Sequence, residues 1–301
     1  MNAKQLLIGL GKLVLCGLAY FVGLIVGGMV TTALHLTPPP MPDGVSQATA
    51  ALSLLFASPA LALGLALVAR DIAGGLPARA LMLASLAYVA YSLNTVLDGS
   101  LYVTGVATAL GFETISPIVP SLLCGGAVAW LFPPAARGKS FIAAWREFFR
   151  KGTPGEWLWR LVLAGLAFAP VYVFFGLLVN PFTGAYYTQN MYGLKAATWD
   201  QIIPVQLARS LLFLLACLPI IVAWQKSSRS LFLSLGAAQF ALVGLTMALI
   251  GTWLPWTVRL PHAVEILCDS FVYAGILTWL LAWRSHAPRA SVLRPPSFVA
   301  H

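Results

Sequence analysis

His262, Glu265 and Asp269 follow one another at spacings of three and four residues within an apolar stretch. On a helix that spacing places them on one face. Two carboxylates and an imidazole so arranged can exchange protons, hold a cation or contribute ligands to a metal. Asp98 and Arg209 also stand inside apolar runs, and Asn94 lies one helical turn before Asp98. An ionisable group at the centre of a membrane helix costs roughly 2.5–3.5 kcal/mol on the insertion scale, so such groups face the bundle interior and pair. Asn94, Asp98, Arg209, His262, Glu265 and Asp269 therefore form the candidate substrate- or ion-binding set. Arg209 is expected to pair with Glu265 or Asp98, because a fixed guanidinium neutralises a carboxylate held away from water. As metal ligands His262, Glu265 and Asp269 are weak candidates: one H-x-x-E arises easily by chance, and neither H-E-x-x-H nor G-x-S-x-G occurs. The sequence indicates no particular cofactor and no catalytic group.

These residues can meet only if helices bring them together across a bilayer. Of 301 residues, 59% are hydrophobic and 9% are charged, and the mean hydropathy is +0.85. A water-facing domain carries about 25% charged residues, so the solvent of this chain is lipid. Eight apolar segments reach the ~20 residues needed to cross the hydrocarbon core. They lie near 13–34, 48–69, 79–100, 115–132, 158–180, 203–224, 230–252 and 261–283. The fourth is short, with Pro117 and Pro120 in its first turns. The first is longer than a signal-peptide core and reads as a retained helix. The expected fold is an all-α, polytopic membrane helical bundle with about eight transmembrane helices.

The formal net charge is +9, but its placement points to a membrane and not to nucleic acid, for which no basic and aromatic platform is present. Fifteen of the eighteen Lys and Arg fall in the termini and in alternate connections: Lys4, Lys12, Arg70, Arg79, Arg137, Lys139, Arg146, Arg150, Lys151, Arg160, Lys226, Arg229, Arg284, Arg289 and Arg294. This positive-inside pattern predicts both ends on the cytoplasmic side, facing anionic phospholipid. Span eight then enters from outside near Pro261, which puts the polar set in the outer half of the membrane. Compact loops suit a bacterial cytoplasmic membrane. Cys16, Cys124, Cys217 and Cys268 sit in apolar runs with no C-x-x-C pair and read as packing residues.

The two halves of the chain read alike. Phe21–Val26 (FVGLIV) matches Phe174–Val179 (FFGLLV), and Ala51–Phe56 (ALSLLF) matches Ala208–Phe213 (ARSLLF). Leu93–Gly99 parallels Leu245–Gly251, and Pro117 stands before Cys124 as Pro261 stands before Cys268. A parallel duplication is expected, with four-helix repeats at 1–134 and 158–284, a connector at 135–157 and a tail at 285–301. Aligned this way, Arg209 faces Leu52, Glu265 faces Ser121 and Asp269 faces Gly125. In the connector, Phe141, Ile142, Trp145, Phe148 and Phe149 follow helical spacing, with Ser140 placed to cap the start and Gly152 the end. This segment reads as an amphipathic helix on the cytoplasmic leaflet. The connection 181–202, rich in Tyr and Trp, suits a lid over an outward-facing cavity.

Three classes of function fit: a transporter of a small solute or ion, a membrane-embedded enzyme with an outward-facing site, or an assembly subunit whose polar cluster binds a membrane partner or a second copy. Parallel repeats and an intramembrane polar set favour transport.

Overall fold

The computed structural model describes residues 3–41, 45–134 and 138–282. Asp43, Arg137, Arg284, the basic tail with Arg289 and Arg294, and the histidines at 286 and 301 lie outside them.

The chain is all-helical. In order it forms α1 (Ala3–Ala33), α2 (Gln47–Ala69), α3 (Leu76–Tyr102), α4 (Val106–Ile115), α5 (Ile118–Leu131), α6 (Phe141–Phe149), α7 (Pro154–Thr188), α8 (Trp199–Ala223), α9 (Ser228–Ile250) and α10 (Trp256–Ala282). Among the described residues, seven helices are long and apolar enough to cross a membrane, or eight if α4 and α5 make one bent span. The two meet at 43°. The predicted fourth span at 115–132 is thus a broken element that starts earlier than the apolar run implies. Pro117 and Pro120 each lack an amide hydrogen, and the α-helical ladder cannot run through them from α4.

The contacts fall into two matching groups. α1 packs on α2 and α5, and α3 on α5; likewise α7 packs on α8 and α10, and α9 on α10. Between the groups, α2 lies against α9 and α8 against α3. Close approach in the first group depends on glycine. A Cβ on Gly23 would stand 2.3 Å from Pro120 Cα, and one on Gly27 2.1 Å from Ser116 O, so any side chain would drive α1 off α5.

Three spans contain π-helical stretches, Leu86–Leu93 in α3, Phe240–Leu245 in α9 and Thr278–Ala282 in α10; those of α3 and α9 touch each other. In α3 and α9, the residue after the stretch binds the carbonyl five positions back: Asn94 Nδ2 donates to Val89 O (2.8 Å) and Thr246 Oγ1 to Ala241 O (2.9 Å). α7 breaks at Ala167, ahead of Pro170. There the freed Phe168 N–H donates to Ser210 Oγ (3.0 Å), and Ala164 O accepts from the Tyr273 hydroxyl (3.2 Å). These repairs follow from the lack of water in a hydrocarbon interior.

One end of the bundle gathers basic side chains. Buried Arg79 donates to Ala69 O (2.8 Å), Ala129 O (3.0 Å) and Phe132 O (2.6 Å), closing the C-termini of α2 and α5. Lys12 Nζ donates to Leu131 O (2.9 Å), and Arg160 Nη1 to Leu280 O (3.1 Å). Each places a cation where four helical carbonyls lack partners and the helix dipole is negative. At the same end Ile72 forms an antiparallel bridge with Trp224, and Lys226 pairs with Asp71 at 2.9 Å.

α6 is capped by Ser140, whose Oγ accepts from Ala143 N, and it ends at Phe149, short of Gly152. Its apolar face rests on α7: the Phe148 and Trp157 rings are 4.8 Å apart, and Trp157 Nε1 donates to Phe149 O at 2.8 Å. On its polar side the Lys139 ammonium holds the Glu147 carboxyl below the usual carboxylate range. That small, solvent-exposed contribution is present at neutral pH and lost as pH falls through the folded-state value.

Replacing Arg79 with alanine leaves three buried carbonyls without a donor and is expected to cost about 3 kcal/mol of unfolding free energy. Denaturant unfolding in detergent measures this, and an unchanged midpoint would refute the capping role.

Candidate functional site

Four helices bring polar side chains together inside this apolar frame. α8 carries Gln206 and Arg209 one turn apart on its buried face. α3 supplies Asp98 and Tyr102 from its last turns, α7 supplies Tyr172 and Tyr187, and α10 supplies His262, Glu265 and Asp269.

Arg209 anchors the arrangement. Its Nη1 forms an ion pair with Asp98 Oδ1 and donates to Gln206 Oε1 at 2.8 Å. Asp98 Oδ1 also accepts from the Tyr172 hydroxyl (3.1 Å) and from Gln206 Nε2 (3.3 Å). The guanidinium lies over the Tyr172 and Phe168 rings, 4.9 and 5.5 Å from their centroids. Aromatic faces and a carboxylate together compensate a cation that water cannot reach.

Beside this pair runs a second line of contacts. The Tyr187 hydroxyl meets His262 Nε2 at 2.8 Å, and His262 Nδ1 meets Glu265 Oε2 at 2.6 Å. A Cβ on Gly176 of α7 would stand 3.4 Å from Glu265 Oε1, an ordinary contact, so the carboxylate lies against α7. One turn further, Asp269 is 4% exposed, and its Oδ1 has no hydrogen-bond partner. Asp269 lies within electrostatic reach of Glu265, Arg209 and Asp98.

The candidate set is therefore partly gathered and partly redistributed. Arg209 takes Asp98, one of its two expected partners, and Glu265 turns to His262 instead. Asn94, although fully buried, donates within α3 to Val89 O, which also accepts its backbone N–H; its Oδ1 has no partner. Among the described residues no three His, Cys, Asp or Glu side chains assemble as a metal site, and both ring nitrogens of His262 are already engaged. The set also lies further along its helix than a span beginning at Pro261 implies. α10 starts at Trp256 and runs 27 residues, which puts Asp269 at its midpoint, about 20 Å along the axis from Trp256.

The connection expected over 181–202 is likewise shorter. Residues 181–188, with Tyr186 and Tyr187, continue α7 through Pro181, leaving 189–198 as the link. That link is tied to the end of α3, with Val103 bridging Leu194 and Lys195 N donating to Tyr102 O at 2.9 Å. Arg259 stacks on Trp256 at 3.9 Å and donates to Ala248 O at 3.0 Å. Glu113 of α4 is a further acid within an apolar bundle, half-buried and within electrostatic reach of Tyr20 and Tyr91.

Counting charge exposes an imbalance. Asp98 and Arg209 cancel, leaving Glu265 and Asp269 with only His262 to offset them. With both carboxylates ionised and the imidazole protonated, one negative charge remains uncompensated among apolar helices, which costs several kcal/mol. The arrangement can therefore hold at least one exchangeable proton or cation.

No protein-family model matches the chain, and no curated protein or solved structure matches it. The helical bundle, with seven apolar helices among the described residues, is compatible with a multi-pass membrane protein.

The Asp98–Arg209 pair gives a double-mutant test. Arg209→Gln strands a carboxylate and is expected to lower stability by about 2 kcal/mol. Adding Asp98→Asn should recover part of that loss in the same unfolding measurement, whereas strictly additive effects would mean the two groups do not interact.

Proposed function

We propose that this protein is a membrane transporter of a small solute or ion, with its cation site at Asp269 and Glu265. The observation that carries this reading is the uncompensated carboxylate: Asp269, at the midpoint of a span, is buried with an unpartnered oxygen in a cluster short of one positive charge. Ionisable residues kept at such cost within spans line substrate or ion pathways. Asp98 lies near one end of α3 and Asp269 at the middle of α10, so the polar line descends from the outer half of the membrane toward its centre.

The scaffold reading goes with it. Each four-helix group makes the same internal contacts, and the π stretches of α3 and α9 end at Leu93 and Leu245, 152 residues apart. The Ile72–Trp224 bridge joins residues at that same offset. The buried positions of α2 and α8 also coincide at 152, which sets Arg209 opposite Ala57, and not Leu52 as the sequence alignment has it. These agreements support a parallel four-plus-four repeat of the kind transporters use, with α6 as its connector. The basic residues collected at one end support a cytoplasmic location for that end, for both termini and for α6 on anionic phospholipid.

A binding site raises the stability of the folded state by about 2.7 kcal/mol when ligand stands at a hundred times its dissociation constant. Thermal unfolding of the purified protein across sodium, potassium, magnesium and pH is expected to reveal one stabilising cation or protonation. That increment should vanish in Asp269→Asn and shrink in Glu265→Gln. A wild-type Tm indifferent to every cation and to pH would overturn the reading.

A further inference from the structure

We propose that Tyr187, His262, Glu265 and Asp269 form a proton relay that runs from the Tyr187 end of α10 to its midpoint. The inference rests on the cation-site reading above and narrows the cation to a proton.

Three observations carry it. First, the contacts are consecutive: Tyr187 Oη to His262 Nε2 at 2.8 Å, then His262 Nδ1 to Glu265 Oε2 at 2.6 Å. Imidazole here sits between two oxygens with one ring nitrogen on each. A neutral ring has one donor and one acceptor nitrogen, so a proton can enter at one and leave from the other. Second, Glu265 and Asp269 are one turn apart on the same face of α10, where side chains meet. Glu265 Oε1 lies against Gly176 of α7, 3.4 Å from where a Cβ would stand there. Third, the line ends at the oxygen that lacks a partner, Asp269 Oδ1. A metal cation fits this geometry less well, because hard cations collect six or more oxygens, and one of the two carboxylates here is already committed to an imidazole.

The transfer balances without any redox partner. The Tyr187 hydroxyl passes its proton to Nε2 while its oxygen regains one from the aqueous side. The imidazolium so formed releases the Nδ1 proton to Glu265 Oε2, and the protonated Glu265 hands it to Asp269 Oδ1. The histidine is left as the other neutral tautomer, and the reverse transfer, when Asp269 releases its proton along the same line, restores it. Facing this line are Asp98 and Tyr102 from α3, Tyr172 from α7 and Arg209 from α8. From α9, the other helix against α10, the only titratable residue is Arg229, in its first turn.

The test reads protonation of Asp269 directly, by time-resolved infrared spectroscopy of the full-length protein after a jump from alkaline to acidic buffer. A protonated-carboxyl band is expected that is absent in Asp269→Asn. In His262→Gln and in Tyr187→Phe the band should reach its full amplitude but rise at least about tenfold more slowly, the loss typical of removing a positioned proton carrier. A merely structural role would alter amplitude and leave the rate unchanged. Tyr187→Phe removes one oxygen only and keeps the test valid should His262→Gln fold poorly. Wild-type rates in both variants would overturn the relay. So would the lack of any Asp269 band: together with a sodium or potassium Tm shift that Asp269→Asn abolishes, it would leave the cation site standing, and without such a shift it would remove both.

Discussion

In a hydrocarbon interior no water completes an unpaired polar group, and the whole bundle is organised around supplying those partners from the chain itself. The basic end shows it most directly. Arg79, Lys12 and Arg160 reach across to carbonyls that end α2, α5 and α10, so residues that a charge count assigns to membrane orientation also close helices. The same demand operates within the spans. Proline frees backbone groups in α7, and Ser210 and Tyr273 take them up from α8 and α10, which locks three helices together around the site. Arg209 meets the demand for charge, held by Asp98, Gln206 and two aromatic faces.

Much of the frame was legible in composition and periodicity because bilayer thickness leaves few choices for an apolar run of fixed length. Where the reading slipped, a local effect outweighed hydropathy. Span four lost its continuity to Pro117 and Pro120, and α10 gained a turn and more before Pro261, a proline inside the helix of the kind that membrane helices tolerate. Tyr186 and Tyr187 read as loop because Pro181 sits before them, yet α7 continues. The polar side chains that the bundle gathers were legible where charge marked them, in Asp98, Arg209, Glu265 and Asp269. Gln206 could have been found as a polar residue one turn from Arg209. Tyr102, Tyr172 and Tyr187 carried no distinguishing signal in a chain rich in aromatics, and Glu113 fell in a stretch taken for a connection. Asn94 donates within its own helix, a use that its residue type alone did not distinguish from binding.

The two four-helix groups share contacts but not chemistry. At the offset of 152, Ala57 stands where Arg209 stands, while Ser58 and Ser210 are the same residue type in both. One group is packed tightly through Gly17, Gly23 and Gly27 against prolines and backbone; in the other, Gly176 faces a carboxylate. A common scaffold can thus keep one half rigid while the other accommodates buried charge.

The π stretches of α3 and α9 carry a consequence for descent. Each is in effect a one-residue insertion that rotates the rest of the helix by about 100°, and in α3 that rotation sets where Asp98 points. Both stretches end at matching positions, with Asn94 and Thr246 making the same side-chain bond, whereas the charged residues of the cluster have no counterparts in kind. If the two groups descend from one gene, the insertion is the older event and was inherited by both copies. The carboxylates and the guanidinium came later, fitted onto helix phases that the ancestral insertion had already fixed.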